Sequence, residues 1–118
     1  MPILSLVQPR TEIAVPAQAL NRPPKSLFLT LGRIRNPAGR AFSIKVELSG
    51  PSQSPIRLGE VAPFPVDHGG VFVLPWAEVV RRVRPRGSLR ISLTLRSLLV
   101  SATGDVSAEV VVGWTSAG

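Results

Sequence analysis

From Phe42 to Leu48 apolar and polar residues alternate without a slip. Phe42, Ile44, Val46 and Leu48 fall on one side, and Ser43, Lys45 and Glu47 on the other. Successive side chains of a strand point to opposite faces, so this stretch is a strand with one face buried. Leu89, Ile91, Leu93 and Leu95 repeat the pattern against Arg90, Ser92, Thr94 and Arg96, as do Ala108, Val110, Val112 and Trp114 near the end. Leu27, Leu29 and Leu31 alternate with Phe28 and Thr30, and Arg57–Val61 gives a shorter strand. Gly70–Leu74 is apolar at nearly every position and reads as a central strand, covered on both faces. The turns are Asn36-Pro37-Ala38-Gly39, Gly50-Pro51-Ser52 and Gly104-Asp105.

One stretch keeps a different period. Trp76, Val79, Val80 and Val83 recur at helical spacing, with Pro75 placed for a first helical position. The expectation is one short helix near residues 76–84. Pro2, Pro9, Pro16, Pro23 and Pro24 interrupt residues 1–26 too often for a helix, so this segment reads as a Pro-rich N-terminal arm. Within it only Thr11–Val15 could pair as an edge strand. The pattern as a whole predicts an all-β protein: an antiparallel β-sandwich of six or seven strands, jelly-roll or Ig-like, over residues 27–115.

Composition narrows the chemistry. A chain of 118 residues, 44% hydrophobic, is long enough for one packed core. It has no cysteine, which excludes disulfides, thiolate nucleophiles and zinc ribbons and fits a reducing compartment. No apolar run reaches the ~20 residues of a membrane span, and the N-terminus lacks the basic start and long apolar segment of a signal peptide. A cytoplasmic location without membrane association is therefore expected.

The only histidine, His68, stands beside Asp67 and before Gly69-Gly70. An acid–histidine pair on a glycine-rich loop suggests catalysis or metal binding. A metal site needs three or four ligands, however, and no donors stand at ligand spacing around His68. No G-x-S-x-G elbow, phosphate loop or dinucleotide fingerprint occurs. The reading is strand–loop–strand for residues 61–74, with His68 a turn residue, no cofactor, no metal and no catalytic role. The rival is a hydrolase using Asp67, His68 and a serine.

The net charge is +7, and twelve of the fourteen basic residues are arginine. Arg81, Arg82, Arg84, Arg86 and Arg90 crowd the end of the expected helix. Such a cluster suits an acidic protein surface, or nucleic acid or another polyanion. Nucleic-acid sheets usually add exposed aromatics, and this chain has six aromatics and no tyrosine. Phe64 sits between Pro63 and Pro65, where a stiff loop could present its ring to a partner's pocket.

The order of elements, and Phe42, Ile44, Val46, Gly59, Val61, Phe64, His68, Gly69, Gly70 and Phe72 within it, resembles the C-terminal domain of bacterial tyrosinases and plant polyphenol oxidases. The likeness covers about residues 27–114. It implies a small β-sandwich without chemistry of its own, one that packs over a dicopper domain, shields it and keeps it latent. In that family a bulky residue of the domain or its linker enters the copper pocket, and Phe64 is the candidate here. The catalytic domain needs six histidines, so this chain is no oxidase itself. The resulting expectation is a non-catalytic domain whose partner is a protein, either a type-3 copper oxidase or another copy of itself. Phe64, His68, Arg81, Arg82, Arg84 and Arg86 are its candidate contacts.

Overall fold

A computed structural model describes residues 3–5, 8–36, 41–50, 53–63, 68–83, 89–97 and 106–114. These form β1 (Ile3–Ser5), β2 (Arg10–Ala14), α1 (Ala17–Asn21), β3 (Ser26–Arg35), β4 (Phe42–Gly50), β5 (Gln53–Val61), β6 (Gly70–Pro75), α2 (Ala77–Arg81), β7 (Arg90–Ser97) and β8 (Ser107–Trp114). Two four-stranded sheets face each other, ordered β1-β8-β3-β6 and β2-β7-β4-β5, with every described pairing antiparallel. We call them the first and second sheet. The nested pairing of first strand with last, second with seventh, third with sixth and fourth with fifth is the order of a jelly roll.

The alternation read from the sequence sets the core. Leu27, Leu29, Leu31, Ala108 and Val110 point inward from the first sheet, and Phe42, Ile44, Val46, Leu48, Ile91, Leu93 and Leu95 from the second. All are buried, each worth about 1.5–3 kcal/mol for a full-sized aliphatic side chain. Trp76 closes one end of the sandwich. It is fully buried, its Nε1 donates to the Ala19 carbonyl at 3.0 Å, and its ring meets Trp114 edge-on at 5.4 Å. The expected helical face is borne out, since Trp76, Val79, Val80 and Val83 are all buried.

The structure differs from the sequence reading in three places. The segment expected to be an arm is built into the sandwich. β1 pairs with β8 and buries Leu4 completely, β2 pairs with β7, and α1 is a second short helix. Pro9 and Pro16 flank β2 and α1 rather than preventing them, and the Pro9 carbonyl accepts the Leu95 amide at 2.7 Å. β2 takes the place of the edge strand expected at Thr11–Val15, and β1 goes beyond the six or seven strands expected, so the count is eight. The third difference is β6, which lies at an edge of the first sheet, not at its centre.

Candidate protein-binding face

Antiparallel register fixes what each sheet shows outward. On the first sheet Leu27 and Leu29 face the core, so their partners Leu74 and Phe72 do too. Val71 and Val73 then point outward, opposite Thr30 and Phe28. On the other side of β3, Thr30 faces Val111 and Phe28 faces Gly113. The outer surface therefore carries two cross-strand rows, Val111–Thr30–Val71 and Gly113–Phe28–Val73, with no charge in either. Val71 and Val73 are each 60% exposed and Val111 is 43% exposed. The Phe28 ring lies half-buried in the middle.

Charge appears at the borders. At one end Glu109 lies opposite Gly32, and a bulge between Gly32 and Arg35 ends the regular pairing. Arg33 sits in that bulge in the left-handed region (φ 22°), a conformation that disfavours side chains, and both it and Arg35 are exposed. At the other end a cleft of about 530 Å³ is lined by Lys25, Ser26, Val73, Pro75, Glu78 and Arg81, among others. The centre of this face is uncharged and partly aromatic, and charged side chains border it at its two ends.

The outer surface of the second sheet is built oppositely. Arg10 and Arg90 reach Glu12 at 3.1 and 3.5 Å, and Lys45 reaches Glu47 at 3.5 Å. Arg57 and Arg96 reach Glu60 at 2.9 and 3.7 Å. Ser43 donates its hydroxyl to Glu60 at 2.5 Å. That hydrogen bond above all, with help from Arg96, Arg57 and Lys45 and against the cost of burial, holds the Glu60 carboxyl below the ordinary carboxylate range.

The residues singled out by sequence are distributed over this frame. Arg81 and Arg82 are exposed at the end of α2, and Arg81 lines the cleft beside Val73. Arg90 is separated from them, on the charged face of the second sheet with Glu12. Phe64, Asp67, Arg84 and Arg86 lie outside the described residues. His68 is exposed at the approach to β6. Among the described residues no group of three or more His, Asp or Glu side chains could hold a metal ion. Gly69 has a structural explanation: a Cβ there would run into the Leu31 carbonyl oxygen, so the chain needs glycine to bring β6 against β3. Among the described residues no aromatic ring is fully exposed, and Phe28, Phe72 and Trp114 are half-buried. No helix among them is long and apolar enough to cross a membrane.

The apolar face itself was missed by sequence reading. Its signal was the run Val71–Leu74, apolar on both faces, which described a covered strand while the structure leaves one side of it open. Comparison with protein-family models, curated proteins and solved structures finds no match for this chain.

Proposed function

We propose that this protein is a non-catalytic binding module that docks another protein on the outer face of its first sheet. The observation that carries the reading is the exposure of Val71, Val73 and Val111 around Phe28 on a charge-free surface. Apolar side chains scattered singly are ordinary, but a contiguous set inside a charged rim is the mark of a contact region. Arg33, Arg35, Lys25 and Arg81 stand at that rim with Glu78 and Glu109, a small cationic excess that suits a partner whose apolar patch is bordered by acids. A type-3 copper oxidase is the specific partner that the sequence likeness puts forward. On that reading the domain shields its partner and takes no part in the chemistry.

The test is capture from the source cell's lysate with three baits: the natural chain, Thr30→Lys/Val111→Lys, and Glu12→Lys on the opposite sheet. A protein retained by the first and third and lost by the second supports the reading, and a histidine-rich copper oxidase among such proteins gives the partner. Retention that ignores the Thr30 and Val111 changes overturns it. Nucleic acid that elutes between low and moderate salt, and is lost with Arg81→Ala/Arg82→Ala, transfers the function to the arginines of α2.

A further inference from the structure

Four strands end the two sheets, and three of them are poor templates for another strand. β1 is three residues long. β2 is five residues long and carries Arg10 and Glu12. β5 contains Pro55, Arg57 and Glu60, and irregularities interrupt its pairing with β4 at Val46/Glu47 and at Leu48/Gly50. Short length, charge, proline and bulges are the devices by which natural sheets block edge-to-edge pairing. β6 has none of them before its terminal Pro75. It runs Gly-Val-Phe-Val-Leu without charge or described irregularity, and no described strand pairs with its far side.

We infer that β6 is a self-pairing edge, on which a second copy of this chain adds its own β6 antiparallel across a two-fold axis at Phe72. This goes beyond the docking of a partner on the face and does not depend on it. Centred on Phe72, the two-fold sets Val71 opposite Val73 of the partner subunit, and Val73 opposite the partner's Val71. Both lie on the outward side, where β-branched cross-strand pairs are favourable. On the inward side Leu74 meets the partner's Gly70, whose missing side chain leaves room for it. Antiparallel self-pairing about a residue preserves parity, so each apolar face continues onto the other copy without a switch. The pairing is isologous and closes at two.

Charge decides where on the surface a second copy can dock. Copies carrying a net +7 each repel, and the outer surface of the second sheet shows five cations to three acids: Arg10, Lys45, Arg57, Arg90 and Arg96 against Glu12, Glu47 and Glu60. Residues 69–77, Gly-Gly-Val-Phe-Val-Leu-Pro-Trp-Ala, carry none, so no charge of the paired strands themselves opposes the contact, and Lys25 and Arg81 beside Val73 are accompanied by Glu78. An edge of this length spans roughly 20 Å. It covers less than the ~800 Å² per partner of a stable complex, so the dimer is weak, with a dissociation constant on the order of 10–100 μM.

The experiment is sedimentation of the full chain over about 1–500 μM, a range that brackets that constant. The expected result is a mass rising from 12.6 kDa toward twice that value. Val71→Lys/Val73→Lys sets lysine against lysine at both outward pairs and keeps the chain monomeric, with an unchanged melting temperature. Val71→Lys/Val73→Glu sets each new lysine against a new glutamate of the other copy and restores the dimer. Because the chain has no cysteine, register can be read by cross-linking. Val71→Cys mixed with Val73→Cys gives a disulfide-linked pair, and neither does so alone, since like positions lie on the ~7–8 Å diagonal. A monomer at the highest concentration, a dimer that survives the double lysine variant, or self-linking by Val71→Cys alone each overturns the inference. A strictly monomeric chain that still loses a captured protein with Thr30→Lys/Val111→Lys removes the dimer and leaves the proposed function standing. A dimer whose captured proteins ignore those changes does the reverse.

Discussion

The two outer surfaces of this sandwich are made from the same kind of strand and end up chemically opposite. On the second sheet every described cation of the surface reaches a carboxylate, and Glu60 gathers Ser43, Arg57 and Arg96 around itself. On the first sheet the two central rows hold valine, threonine, glycine and phenylalanine only. A surface of mutually satisfied charges is finished in water and gains little from another molecule. A surface of exposed valines gains about 25 cal/mol for every Å² that a partner removes from water. On the proposed reading, binding falls to the first sheet, while the second is already satisfied by its own ion pairs.

Four changes, the first paired with a control at Gly70, test that division, from the largest expected effect on stability to the smallest. Gly69→Ala forces a Cβ into the Leu31 carbonyl and pries β6 from β3, dismantling the apolar face at its root. A loss of about 3 kcal/mol in denaturant unfolding is expected. Gly70→Ala, whose Cβ meets nothing nearby, stays within about 0.5 kcal/mol of the natural chain. Glu60→Gln removes the acceptor charge shared by Ser43, Arg57 and Arg96 and costs about 1 kcal/mol at neutral pH. The folded-state pKa of Glu60 lies below its unfolded value, so its contribution is complete above the unfolded value and fades as pH falls through it toward the folded one. Stability measured from pH 7 down to about 3 should therefore decline less steeply in Glu60→Gln than in the natural chain. Arg90→Ala breaks one long, exposed pair with Glu12 and changes stability by a few tenths of a kcal/mol, a change that high salt erases. Val111→Lys, at an exposed position outside the core, also changes stability by no more than a few tenths of a kcal/mol, yet it should weaken partner capture tenfold or more. If Val111→Lys binds normally while Arg90→Ala does not, the assignment of the two faces is reversed.

Much of the architecture was legible because alternation and burial are the same fact seen twice. Phe42–Leu48 and Leu89–Leu95 could lie only with one face on a core, and they do. β2 was legible only as the possible edge strand Thr11–Val15, and β1 not at all, because what makes these segments strands is their partners. Ile3 pairs with Glu109 and Arg10 with Thr94, and no local pattern announces contacts that distant. β6 shows the opposite failure. Its apolar residues were read correctly as apolar, but a sequence records how greasy a strand is and not how many neighbours it has. The arginine run misled for a related reason: Arg81 and Arg90 are close along the chain but lie on different elements, one lining the cleft by Val73 and the other beside Glu12. For His68 and Gly69 the sequence offered a loop with chemical residues, and the structure explains the glycine by the approach of two backbones.

The nested strand order also governs how the chain is born. β4 and β5 are neighbours in sequence and can pair as soon as both have emerged. β3 must wait for Val71–Pro75, β2 for Arg90–Thr94, and β1 for Glu109. At roughly 5–20 residues per second, β1 spends many seconds on the ribosome without its native neighbour. Until β4, β5 and β7 have emerged, Leu27, Leu29 and Leu31 lack the sheet that covers them, and refolding is expected in the millisecond-to-second range of proteins dominated by distant contacts.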